Sequence, residues 1–196
     1  VVTAASVMVT TPWLDEAVEI LAAHPQISVG VHLCLNSEWW PYRWGPVLPP
    51  GEVPSLVDEW GKFPPTRDGV MAHGPNLGQV ERELHAQIDL AVRKGLRVSY
   101  VDHHMLTLVA DERLRGCLES VARSRGLAMS GWFGEKIGPV LYSVPPERKA
   151  EVLLDGLGTM DGPELHMVVA HPGLDVAEMR ALCDRNPGGL ADMPRH

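Results

Sequence analysis

The sequence predicts an α/β fold built on a parallel sheet, either open or closed into a barrel. Three observations predict it. Apolar, β-branched stretches alternate with helical periodicities along most of the 196 residues. No Asn-Gly or similar two-residue turn joins neighbouring strands, so the connections read as crossovers. Several strands also run into polar residues at their C-terminal ends, the edge where parallel α/β folds gather their chemistry.

Taken in order, residues 2–9 alternate small and apolar side chains and suit a buried strand. Pro12 opens a helix in which Leu14, Ala17, Val18 and Leu21 recur at three- and four-residue spacing, and Pro25 marks its end. "ISVGVHLCL", residues 27–35, is a second strand. Residues 36–76 are rich in proline, glycine and tryptophan, and a loop of that length is expected to be a functional lid or binding loop. Val80, Leu84, Ile88 and Val92 then mark a helix, with Gly95 as its C-terminal cap. The strand "LRVSYV" leads to Asp102. A helix over about 111–125, a short strand over 127–130 and an irregular stretch follow. A further helix covers about 146–157, the strand "ELHMVVAHPG" ends at His171, and a last helix covers 175–184. With no repeat or linker, residues 1–196 are expected to form one domain carrying the 36–76 insertion. The chain opens inside a strand and without Met, so upstream residues are expected in the native protein.

Composition narrows the function. The formal charge of −8 repels nucleic-acid phosphates, so no nucleic-acid partner is expected. No stretch approaches the ~20 apolar residues of a membrane span. Cys34, Cys117 and Cys183 stand far apart, which fits a reducing, cytoplasmic setting, with Cys34 as a small core residue. A homodimer is carried as one expectation for assembly.

Three strands bring similar chemistry to their ends: "VGVHL" with His32, "YVDHH" with Asp102 and His104, and "VVAHPG" with His171. Imidazole and carboxylate suit zinc and other divalent ions. Each residue also has a plainer reading. His32 can be a core histidine, Asp102 and His104 a helix cap, and His171 a turn residue before Pro-Gly. Gly30 favours the functional reading of His32, because it permits close backbone approach. His103 alternates with its neighbours and is expected to face away in a structural role. His24, His73, His85, His166 and His196 are read as surface or packing residues. Trp39, Trp40, Tyr42 and Trp44 form either a sugar-stacking surface or core.

These stretches together resemble the YdjC-like carbohydrate deacetylases, which include chitooligosaccharide deacetylase. "VVTAASVMVTTPWLDEAV" is similar to the family's second strand and helix, and "ISVGVHLCLN" to its Gly-x-His-Leu strand. "QVERELHAQIDLAVRKGLRVSYVDHH" is similar to its Glu-Leu-x-x-Gln helix and Asp-x-His strand, and "VVAHPG" to its late His-Pro-Gly. The resemblance implies a distorted (β/α) barrel with parallel strands, here apparently without the first strand and the C-terminal closing elements. It implies a divalent metal ion, Mg or Zn, held by His32 and His104, and hydrolysis of the N-acetyl group of an amino sugar or short oligosaccharide. Asp102 is then a supporting or catalytic carboxylate, and His171 the acid for the leaving amine. The family's first strand ends in an Asp-Asp pair that has no counterpart here, and Met105 and Leu106 stand where further histidines usually follow. Two alternatives are carried: a sugar-binding homologue without full activity, and a DHH-type phosphoesterase reading of "VDHH", which lacks the upstream Asp-rich strand ends that chemistry needs.

Overall fold

The computed structural model describes residues 2–141, 144–160, 162–171, 173 and 176–185. The chain divides into two compact units, residues 1–38 with 43–130, and residues 39–42 with 131–196.

The first unit carries the main sheet. Strands β1 (Ala4–Val7), β2 (Ser28–Leu33), β3 (Val98–His103) and β4 (Ala128–Met129) lie side by side in chain order, all parallel. Placing each strand beside its predecessor is how a (β/α) barrel wall is laid down. Helix α1 (Leu14–Ala22) links β1 to β2, and α4 (Glu112–Ser124) links β3 to β4. Between β2 and β3 lie α2 (Arg67–Ala72) and α3 (Leu77–Arg93).

One row of the register builds the core. Val7, Val31, Val101 and Met129 stand abreast on the four strands, and all are buried. Leu84, Ile88 and Ala91 of α3, and Leu114, Leu118 and Val121 of α4, are buried with them, at the spacing of one helical face. Each Val, Leu, Ile or Met side chain removed from water this way contributes about 1.5–3 kcal/mol. The helix ends follow from sequence. Asn76 accepts the Gln79 N–H at the start of α3, and Asp111 accepts the Arg113 and Leu114 N–H groups at the start of α4. Gly95 leaves α3 at φ +99, a conformation that glycine tolerates best.

Residues 43–76 pack more tightly than a lid. They contain two 3₁₀ turns, Pro50–Glu52 and Pro54–Leu56, and helix α2, around buried Val53, Leu56, Phe63 and Val70. The polar face of α3 holds this irregular chain. Gln79 accepts from the backbone N–H and the hydroxyl of Ser55, and Arg82 donates to the Glu52 carbonyl. Glu83, fully buried, accepts the N–H groups of Val47 and Leu48. Gln87 donates to the Cys34 carbonyl and accepts the Cys34 N–H, just past the end of β2. These side chains satisfy backbone groups that have no ladder to join.

The second unit contains the two-residue parallel strands β5 (Lys136–Ile137) and β6 (His166–Met167), and helices α5 (Lys149–Gly158) and α6 (Ala177–Arg185). The strand expected over 164–171 is therefore much shorter, and His171 lies four residues beyond it. Its only strand partner among the described residues, β5, offers two residues of ladder, and Val168 and Val169 remain partly exposed. Trp39 packs against Leu182 and Met179. The Cys183 side chain and His196 lie outside the described residues. Among the described residues no helix is long and apolar enough to cross a membrane.

Candidate active site

The site forms where β2 and β3 end. Val29 pairs with Val98 but Gly30 pairs with Tyr100, so Ser99 is an extra residue in β3. Its hydroxyl donates to the Val29 carbonyl. This bulge advances β3 by one position and sets Asp102, rather than Val101, beside His32. His32 Nδ1 then donates to Asp102 Oδ1 at 2.7 Å.

A second polar chain reaches Asp102 from β1. The Ser6 hydroxyl donates to Asp102 Oδ2 at 2.6 Å, and the Tyr100 hydroxyl lies 2.9 Å from Ser6 Oγ. Because the single Ser6 proton goes to Asp102, Tyr100 donates to Ser6. The Tyr100 ring crosses β2 over Gly30 to make this bond. A Cβ at Gly30 would lie 2.3 Å from the ring. Burial pushes the Tyr100 phenol above its ordinary pKa, and the Asp102 charge adds to this, so Tyr100 stays a donor at neutral pH.

His104 follows β3 directly and is held from behind by Glu38. His104 Nε2 lies 2.9 Å from both carboxylate oxygens, and Asn36 donates to Oε2 at 3.1 Å. Thr107 donates to Asn36 Oδ1 at 2.6 Å, and both residues are fully buried. The chain returns from His104 to Thr107 through Met105 (φ 52°, ψ 23°) and Leu106 (φ 59°, ψ 13°), two consecutive non-glycine residues in the left-handed region. Both side chains are more than half exposed, so packing does not hold them there.

The two networks engage opposite ring nitrogens. His32 meets its carboxylate through Nδ1 and His104 through Nε2, which leaves His32 Nε2 and His104 Nδ1 facing each other. These two atoms are 3.3 Å apart, with the rings edge-on at 76°. Two lone pairs pointed at each other repel unless a proton or a cation lies between them. The Trp44 ring stands edge-on to His104, 5.9 Å away, and is buried, so it walls the site and offers no open stacking face. Trp40, Tyr42 and Trp60 are the exposed aromatics of the 36–76 segment. Among the described residues, no third His, Cys, Asp or Glu completes a set of metal ligands with these two.

The structure thus brings together His32, Asp102 and His104, while His171 belongs to the second unit and is described only there. Asp102 caps no helix, because both its oxygens serve the site and Asp111 caps α4. His103 pairs with Leu33 in the register, on the face opposite Asp102. Burial holds its imidazole below the ordinary pKa. Cys34 is buried beside Thr10, and burial pushes its thiol up to about 12, so it is an inert core thiol. Sequence reasoning missed Glu38, Asn36, Ser6 and Tyr100. The one available signal for Glu38 was its place five residues past a strand end on the catalytic edge of a parallel sheet.

The family model described as YdjC-like protein matches residues 1–192. A carbohydrate deacetylase of Geobacillus stearothermophilus is 36% identical over 104 residues, 53% of this chain and 38% of the relative. That of Enterococcus faecalis is 32% identical over 130 residues, 66% of this chain and 47% of the relative. That of Thermus thermophilus is 31% identical over 179 residues, 80% of this chain and 65% of the relative. The chain therefore spans less than half the length of the first two. The crystal structure of an Enterococcus faecalis protein, provisionally named for cellobiose-phosphate cleavage, superposes with a TM-score of 0.76. It is 25% identical, and the match covers 98% of this chain and 78% of that one.

Proposed function

The chain belongs to the YdjC-like family, and from that premise we propose that it is a metal-dependent hydrolase that removes the N-acetyl group from an acetylated amino sugar or short oligosaccharide. The observation that carries this reading is the facing pair of ring nitrogens, His32 Nε2 and His104 Nδ1. Two nitrogens each about 2.1 Å from one tetrahedral ion lie about 3.4 Å apart. The observed 3.3 Å separation fits that, and both rings have a carboxylate on the rear nitrogen, as metal-bound imidazoles usually do. The names of the relatives supply the substrate class.

His32 and His104 would hold the ion, Zn or Mg. When bound, it supplies Lewis acidity, polarising the acetamide carbonyl and easing deprotonation of the attacking water. Asp102 keeps the Nδ1 proton on His32 and so keeps the Nε2 lone pair directed at the site. Ser6 and Tyr100 hold Asp102 in place for this task. Trp44 excludes water from one side of His104, which strengthens the electrostatic interactions there. His171 is assigned the proton that the departing amine needs.

The test is acetate release from an N-acetylated disaccharide, before and after chelation and again after adding Zn or Mg. Chelation should abolish release and metal should restore it. His32→Ala and His104→Ala should each reduce release to background. Wild-type turnover in either variant refutes the assignment.

A further inference from the structure

Glu38 is a mostly shielded acid, 16% exposed, and it pairs with the His104 imidazole at 2.9 Å. The groups around it are all donors. His104 Nε2 donates to the carboxylate from one side and Asn36 Nδ2 from the other. Asn36 cannot reverse its amide, because its oxygen is taken by the Thr107 hydroxyl. Only a carboxylate, with acceptors on both oxygens, satisfies this cradle. A glutamine would turn its NH₂ group toward either His104 or Asn36. The left-handed pair Met105 and Leu106 is the backbone route that returns Thr107 to Asn36.

We propose that Glu38 is a positioning residue for His104. With Asn36 and Thr107 behind it, its carboxylate holds the proton on Nε2, so that the Nδ1 lone pair faces His32 Nε2. The carboxylate sits on the ring nitrogen remote from the facing pair, so it acts through the imidazole and not as a ligand of the same ion. The inference rests on the metal reading above only for its purpose. The tautomer it assigns stands independently.

Two measurements test it on the whole chain. In metal-free wild-type protein at one neutral pH, nitrogen NMR of the imidazoles should show His104 protonated at Nε2 and bare at Nδ1. Glu38→Ala and the near-isosteric Glu38→Gln should each lose that single tautomer, while unfolding curves show both variants folded. Zinc affinity, measured by competition with a chelator, should fall about 10–100-fold in both. An unchanged His104 tautomer in a folded Glu38 variant overturns the proposal, as does wild-type zinc affinity in a protein that binds zinc through His32 and His104. If the wild-type protein binds no divalent ion, the metal reading fails, and the tautomer measurement alone decides the role of Glu38.

Discussion

Replacing Gly30 by alanine should damage the fold through one contact, and a second substitution should cancel the damage. The new Cβ would meet Tyr100 Cε2 at 2.3 Å, Cζ at 2.4 Å and Cδ2 at 2.8 Å. Carbon atoms pack at about 3.5–4.0 Å, so the ring would have to retreat by more than about 1 Å. A shift of that size breaks the 2.9 Å bond from Tyr100 to Ser6. Overpacking of this kind costs about 1–3 kcal/mol, and the lost hydrogen bond about 1 kcal/mol. Removing a strand glycine returns about 0.5–1 kcal/mol. The net loss should be about 1–3.5 kcal/mol in urea unfolding followed by circular dichroism. In a Tyr100→Ala background the clash is gone, and Gly30→Ala should be neutral or stabilising. In Tyr100→Phe, which keeps the ring, most of the penalty should persist. Equal cost of Gly30→Ala in the wild-type and Tyr100→Ala backgrounds would refute the account of why β2 carries a glycine there.

Glu83→Gln leaves one acceptor oxygen where the Val47, Leu48 and Gln87 donors converge, and should cost about 1–3 kcal/mol at neutral pH by chemical unfolding. Burial raises the Glu83 carboxyl above its ordinary 4.5, so the folded state binds its proton more tightly than the unfolded chain does. Its stabilising contribution is then fullest below 4.5 and declines as pH rises through the raised value, so the margin over Glu83→Gln should narrow across that window. Leu106→Gly relieves a left-handed side chain that is mostly exposed, and should raise stability by about 0.5–1 kcal/mol. A loss of stability would mean that contacts of Leu106 outweigh its strain. Asn76→Ala removes the N-terminal cap of α3 and should lower the unfolding free energy by about 1 kcal/mol.

The elements that could be read from sequence are those whose periodicity is enforced by burial. Val80, Leu84 and Ile88 sit on one helix face because the sheet covers that face, and β2 reads as a strand because Val31 and Leu33 are sealed. His32, Asp102 and His104 were legible as polar interruptions of such patterns. The Ser99 bulge was not, since an extra residue leaves a strand looking apolar while shifting which side chain meets its neighbour. Glu38 was hidden for a related reason. Its role comes from irregular chain that follows β2 and meets His104 and Asn36, and no local period records that. Strands β5 and β6, two residues each, fall below the length at which alternation carries information.

Gln87 counterfeits a peptide unit. Its amide meets Cys34 with one donor and one acceptor, as a neighbouring strand would, at a point where β3 has already turned away. The chain leaving β2 is thus steered by a helix rather than by a ladder, through Cys34 to the buried Asn36 and on to Glu38. A sideways slip of α3 would drag the root of that segment with it, and would reach His104 without disturbing any rung between β2 and β3.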